Sequence, residues 1–581
     1  MVVDLRRRLE RLQLFQQSLP QGHLCLINRN TEDLFSSYSD RENDLFEWIG
    51  FKGSSGQLCI ERQRVRFYVD GRYLQTANKQ YEGTAVEVVE PSGREAFLDD
   101  LRTWGLENEH YAVIELDGRK WPAQIIEKWK TALGGKVKWK DRRWLDEEAK
   151  PLHRSDLDLL EFDEKPSSRL KRIQSNMDEG ELHVLLCSDD VAWLFQARSN
   201  DYDYRRSVSG VILLGKQYAA LFRDMKQEEV MRLSKERKGW RVIGNRGLWK
   251  EAVDAVLKKN KEVKVVLPFH QRPGAMSWSD FRRLREDDQS YPLVLNDRTL
   301  VERGRLNKNP AEIKSLSDKT SNLAMIMRES IEHCQRSLDR GERLSEIDLC
   351  CWIETRAKEA HRAIRLSFPL IVSSGNHTSL PHHHPTEKVI EKGDLVMLDL
   401  GFYFGDGGYA TDATRCFLAG ADSEATTRMK DVFSLVLRGF LRQWGASFFE
   451  GEMKARELDA LARDLLNREA PEGYAFIHGT GHGLGISDHE LGLTIGPSSG
   501  ITLRENYVYS LEPGLYQERP TVDQKDNFGV RFEDVVVVEK RGESLRHRSL
   551  CPMDFDTRLL DLSQLDHSDL AYLEDYRSQL L

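Results

Sequence analysis

The stretch GVRFEDVVVV, residues 529–538, alternates charge with apolar bulk. Val530, Phe532 and the four valines after Asp534 call for burial, yet Arg531 and Glu533 fall among them. β-Branched and aromatic residues at a two-residue period read as a strand. An ionised acid inside an apolar strand is costly unless it is paired or bound to a metal. The same conflict recurs in DLVMLDL (394–400), which contains Asp399, and after YVYSL (507–511), where Glu512 follows. One such acid is ordinarily a satisfied structural carboxylate. Three, in three strands, point instead to a metal site.

A histidine belongs with them. FIHGTGHGLGISDHE, residues 476–490, places His478, His482 and His489 among Gly479, Gly481, Gly483 and Gly485. Two histidines at i, i+4 suggest a zinc-binding helix, but four glycines weaken any helix there. They suit a backbone that must approach something closely. Mostly carboxylate ligands with one imidazole suit Mn²⁺, Co²⁺ or Zn²⁺. Several carboxylates in a low-dielectric site repel one another, and two divalent ions would offset that charge.

Helices surround these strands. NKNPAEIKSLSDKTSNLAMIMRESIEHCQRSLDRG carries Pro310 near a first turn and Gly341 past the end. A second helix starts after Ser345, with Asp348 three residues on as in a capping box. Further helices fit 424–443 and 454–468. Strands and helices interleave without regular βαβ order, which predicts an α+β unit with an antiparallel sheet covered by helices.

The remainder of the 581 residues is enough for two or three more domains. ERQRVRFYVDGRY (61–73) reads as a strand ending in an Asp70-Gly71 turn, and 146–168 as a linker running into a helix. SGQLCIERQRVRFYVD (55–70) and SGVILLGKQYAALFRD (209–224) share an order: Ser-Gly, apolar strand, polar turn, aromatic-containing strand, Asp. Their 154-residue offset suggests domain duplication. The expected divisions are 1–150, 151–303, 304–540 and a C-terminal extension, 541–581.

A net charge of −9 with both signs mixed argues against a nucleic-acid partner. No run is long and apolar enough for a membrane span or a secretory leader. The eight cysteines form no CxxC pair and read as reduced thiols of a cytoplasmic protein.

The ordered set Asp399, Asp412-Ala-Thr-Arg415, His478-Gly-Thr-Gly-His482, Glu512-Pro-Gly and Arg531-Phe-Glu533 resembles the metal-dependent pita-bread peptidases. That family includes aminopeptidase P, prolidase and methionine aminopeptidase. FKGSSGQLCI…VDGRY resembles the creatinase-like first domain, DDVAWLFQARSNDYDY (189–204) the second, and residues 549–581 the tail of the three-domain aminopeptidases P. The resemblance implies a pita-bread catalytic domain behind two creatinase-like domains. It implies two divalent ions, Mn²⁺ first and Zn²⁺ or Co²⁺ as alternatives, on Asp399, Asp412, His482, Glu512 and Glu533. Asp412 and Glu533 would bridge the ions.

The implied reaction removes the first residue from peptides with proline second; cleavage of Xaa-Pro dipeptides, the prolidase reaction, is the alternative. A non-catalytic peptide-binding scaffold on this fold is disfavoured, because all five ligand positions are filled. Glu512 would act as general base, His382 and His489 would handle substrate and protons, and Arg531 would hold an acidic ligand. His478 is a further candidate for substrate binding. In LPHHHPT (380–386) the resemblance favours His382 over its neighbours His383 and His384; His377 reads as a loop residue. The gap from Asp399 to Asp412 is longer than is usual in the family and includes Asp406, so Asp412 is preferred on its Ala-Thr-Arg flank. A homodimer is also implied.

Overall fold

In the computed structural model the described residues are 2–30, 43–53, 55–90, 96–108, 112–143, 155–160, 164–271, 274–286, 292–405, 407–518 and 527–580. Asp406 and the expected boundary at 150/151 lie outside them. The chain forms two compact units, residues 1–203 with 207–302, and residues 204–206 with 303–581.

The first unit holds two six-stranded sheets. One runs, edge to edge, Val86–Val89, Val65–Tyr68, Gln57–Glu61, His23–Asn28, Val113–Leu116 and Lys138–Asp141. The other runs Arg241–Ile243, Tyr218–Phe222, Val211–Gly215, Glu181–Leu185, Lys264–Pro268 and Leu293–Asn296. Both follow the same chain order with the same parallel and antiparallel steps. Even the register repeats: Gln57 pairs with Tyr68, and Val211 with Phe222, each 154 residues on.

Two expectations fail locally. Residues 61–73 do not make one strand; a hairpin turn precedes Val65–Tyr68. Asp70 does not start a β-turn either. Its side chain accepts from the Arg72 N–H and caps the helix Gly71–Tyr81.

In the second unit, helix Pro310–Asp339 starts at Asn309, in a capping box with Glu312. Gly341, at φ 68°, follows its end. Helix Glu346–His361 starts at Ser345, boxed with Asp348. Helices Thr427–Trp444 and Ala455–Glu469 follow. The strands pair antiparallel throughout. Leu395–Leu400 lies between Ile371–Ser374 and Ala413–Leu418. A five-stranded sheet runs Glu490–Ile495, Gly481–Gly483, Val508–Leu511, Asp534–Arg541, Ser544–Ser549.

The stretch 529–538 is two strands, Gly529–Arg531 and Asp534–Arg541, separated at Phe532 and Glu533. The break has a use. The Phe532 ring packs 4.7 Å from Phe433 in the core. Glu533 makes a local bridge with Thr414, which itself stands opposite Asp399.

Residues after 540 are continuous with this sheet, since Asp534–Arg541 and Ser544–Ser549 form one hairpin. Helix His567–Arg577 then delivers Tyr576 to a buried network. Its hydroxyl donates to Asp534 at 2.7 Å, and Arg415 reaches the same carboxylate at 2.6 Å. Among the described residues no helix is long and apolar enough to cross a membrane. All eight cysteines are free thiols; Cys351 is exposed, Cys350 half-buried and the other six buried.

Candidate active site

Strand pairing assembles the acids. Asp399 lies in Leu395–Leu400, Asp412 immediately precedes Ala413–Leu418, and Glu512 follows Val508–Leu511. His482 is the middle residue of the strand Gly481–Gly483, not part of a helix. Any side chain at 481 would put its Cβ 2.0 Å from the Ser510 carbonyl oxygen, so only glycine allows this approach.

His482 Nε2 lies 3.6 Å from Asp412 Oδ2, 3.4 Å from Glu512 Oε1 and 3.7 Å from Glu533 Oε1. Such separations are too long for strong hydrogen bonds. They fit ligand atoms gathered round a shared centre, since atoms about 2.1 Å from one ion lie roughly 3–4 Å apart. Nδ1 of the same ring faces the Gly483 carbonyl at 3.3 Å. Donation there leaves Nε2 with its lone pair, which suits a cation held among the acids.

The oxygens carry the strongest sign of a missing partner. Asp399 Oδ1, Asp412 Oδ1 and Glu533 Oε1 are all buried without a hydrogen-bond partner among the described residues. A buried carboxylate oxygen left so is expensive. Burial, and then Glu533 and Asp399, push the Asp412 carboxyl well above its usual range. Burial with Glu512 and Asp399 pushes Glu533 up to about 8. Asp399 is raised by burial, although Arg531 opposes the rise. The donor set therefore fits divalent cations, which would relieve both the orphaned oxygens and the mutual repulsion.

Arg531 makes four hydrogen bonds among the described residues. It donates to Asp399 Oδ2 at 2.6 Å, Thr414 Oγ1 at 3.1 Å, the Tyr516 hydroxyl at 2.9 Å and the Pro381 carbonyl at 3.3 Å. The Thr414 hydroxyl donates onward to Glu533 Oε2 at 2.9 Å. One arginine and one threonine thus align two of the acids.

The remaining histidines separate. The His489 ring stacks on His482, centroids 3.7 Å apart and planes 15° apart. His478 lies 2.8 Å from the Tyr516 hydroxyl and 2.7 Å from the Gly479 carbonyl, one remove from Arg531. His382 is half-buried, next to the Pro381 that Arg531 holds. His384 is exposed, whereas His377 and His383 both bond Glu346. His377 is therefore a bonded residue and not simply a loop histidine.

The sequence alone does not mark Thr414, Tyr516, Asp488 or Glu346. Thr414 was within reach, two residues after Asp412 on the same strand face. Asp488 is buried and adds to the rise of Asp412. Tyr516 arrives from a separate strand with no local mark.

Residues 319–540 match the family model "Metallopeptidase family M24". The uncharacterized peptidase YqhT of Bacillus subtilis is 34% identical over 262 residues, 44% of this chain and 67% of its own. The Xaa-Pro aminopeptidase app-1 of Caenorhabditis elegans is 24% identical, spanning 92% of this chain and 87% of its own. A probable Xaa-Pro aminopeptidase P of Talaromyces marneffei is also 24% identical, over 98% and 88%. Among solved structures, the X-prolyl aminopeptidase of C. elegans, described as a cytosolic enzyme with a di-nuclear active site, superposes with a TM-score of 0.85. It is 20% identical, covering 99% of this chain and 95% of that one. The Xaa-Pro dipeptidase of Bacillus anthracis reaches a TM-score of 0.52 at 25% identity, covering 68% of this chain.

Proposed function

Because this chain belongs to metallopeptidase family M24, we propose that it is a two-metal aminopeptidase that removes the first residue from peptides with proline second. The observation that carries the reading is the set of buried carboxylate oxygens without a hydrogen bond on Asp399, Asp412 and Glu533, with the Asp412 and Glu533 carboxyl groups within 3.7 Å of His482 Nε2. Asp399, Asp412, His482, Glu512 and Glu533 would hold two divalent ions, Mn²⁺ first, with Zn²⁺ or Co²⁺ as alternatives. Bound there, the ions supply Lewis acidity and bring the pKa of water toward neutrality.

The chain's own groups do the rest. Glu512, half-buried at the edge of the cluster, accepts a proton from the attacking water and returns it to the departing proline nitrogen. That nitrogen carries no hydrogen in the peptide, so proton delivery at the moment of cleavage decides whether it leaves. His382 steadies the oxygen on which charge develops, and His489 and His478 orient the substrate. Arg531 favours the ionised form of Asp399 against its burial and aims it.

Whole-length similarity to Xaa-Pro aminopeptidases, against partial similarity to dipeptidases, supports the aminopeptidase over the prolidase reading. A cytoplasmic homodimer completes the proposal, to be checked by fractionation and sedimentation. The central experiment compares Xaa-Pro dipeptides with Xaa-Pro-Xaa tripeptides before and after chelation. Metal-dependent release of the first residue from tripeptides is expected. Cleavage of dipeptides alone would make the enzyme a prolidase.

A further inference from the structure

A second acid–histidine cluster lies in the same unit. Glu346 opens the helix Glu346–His361, and its side chain is completely buried. Six donors converge on its carboxylate. Oε1 takes the Ser374 N–H at 2.9 Å, the Ser374 hydroxyl at 3.1 Å and His377 Nδ1 at 2.9 Å. Oε2 takes His383 Nε2 at 2.9 Å, the Thr386 N–H at 3.1 Å and the Thr386 hydroxyl at 2.8 Å. Every donor lies between residues 374 and 386, the segment that contains His382.

The arrangement leaves no room for ambiguity in proton placement. A carboxylate only accepts, so His377 carries its proton on Nδ1 and His383 on Nε2. Burial alone would push Glu346 up, but hydrogen bonds from His377 and His383 outweigh it and hold the carboxyl well below its usual range. The helix N-terminus adds favourable charge. Three His and Glu side chains this close could also suggest a third metal site. The six donors argue otherwise, because they already fill the lone pairs an ion would need.

The segment is pinned from its other side too. Gly529 N–H donates to Thr378 Oγ1 at 2.9 Å, and a side chain at 529 would meet the Thr378 carbonyl oxygen at 2.4 Å. Arg531 holds the Pro381 carbonyl at 3.3 Å. His382 thus sits between Pro381, tied to the candidate metal centre through Arg531, and His383, tied to Glu346.

We propose that Glu346 is a positioning residue: it clamps residues 374–386 through His377, His383, Ser374 and Thr386, and thereby fixes His382 over the reacting peptide. The proposal rests on the peptidase reading for its catalytic consequence, but not for the clamp itself.

The test is a double-mutant cycle in the metal-loaded full chain, with hydrogen exchange as a second readout. Glu346→Gln keeps the shape but sets an amide N–H against donors. A fall in kcat on an Xaa-Pro-Xaa peptide of about 10–100-fold is expected, with KM and two ions per chain retained. In a His382→Ala background the same change should cost less than about threefold, because the residue it serves has gone. Exchange of a peptide spanning 374–386 should accelerate at least tenfold, while 476–490 keeps its protection. Additive losses, an unchanged 374–386 exchange rate, or a third ion present in the wild type and absent from Glu346→Gln would each overturn the clamp. If the wild type cleaves no proline peptide, the function reading fails, yet the exchange experiment still decides the clamp.

Discussion

Two clusters in the second unit use the same residue types and reach opposite electrostatic states. Asp412, Glu533 and His482 bring their ligand atoms within 4.8 Å, as do Glu346, His377 and His383. In the first, burial and neighbouring acids raise the carboxyls, and oxygens lack partners. In the second, histidines, hydroxyls and backbone N–H groups saturate the acid and lower it. Composition and distance do not distinguish a metal seat from a clamp. The unanswered lone pairs do.

The sharpest way to break this contrast is to empty the first cluster. Glu533→Ala or Asp412→Asn should abolish both hydrolysis and the binding of two ions. Metal content of the purified protein, by mass spectrometry, and tripeptide cleavage are the measurements. A Glu533→Ala protein with full activity would remove the assignment. The prediction separates the clusters because Glu346→Gln should keep its ions.

A smaller effect is expected at Arg531, which ties the clusters together through Pro381. Its planar fork serves Asp399, Thr414, Tyr516 and Pro381 at once, and a lysine cannot reproduce that geometry. Arg531→Lys should weaken metal affinity about 10–100-fold, read by titrating activity and metal content after chelation. Unchanged affinity would mean that Asp399 needs no such support.

The contrast also explains what was legible beforehand. Asp399 and Glu533 declared themselves because acids in apolar strands demand a reason. Glu346 did not, since an acid in a first helical turn is ordinary and its partners lie 28 to 40 residues away. The duplication was visible because the 154-residue offset preserves strand pairing residue by residue. The break at Phe532 and Glu533 was not, because alternation continues through it while Phe532 turns to the core and Glu533 to Thr414. Asp70-Gly71 reads as a turn for a similar reason. A turn dipeptide and a helix cap share residues, and only the following helix tells them apart.

A histidine outside both clusters tests the rule with neutral partners among the described residues. His547 Nδ1 lies 3.0 Å from the Trp444 carbonyl, and the Tyr509 hydroxyl lies 2.7 Å from Nε2. The carbonyl accepts, so Nδ1 carries the proton and Nε2 accepts from Tyr509. Burial pushes the imidazole down to about 4 from an ordinary 6.5, and only the hydrogen bond to the Trp444 carbonyl opposes the fall among the described residues. Between those values the unfolded chain binds the proton and the folded chain does not. Stability from the neutral ring is therefore complete above about pH 6.5 and is lost as pH falls toward 4. The gap from 6.5 to about 4 corresponds to about 3 kcal/mol over the whole window. His547→Gln should lower the thermal midpoint at pH 7 and flatten its decline from pH 6.5 to pH 4.5. Comparing wild type and variant in chelated protein cancels the contribution of metal release. An equal slope in both proteins would show that His547 keeps its proton when folded. The distinction between histidines paired with acid and those paired with neutral groups would then fail at its simplest example.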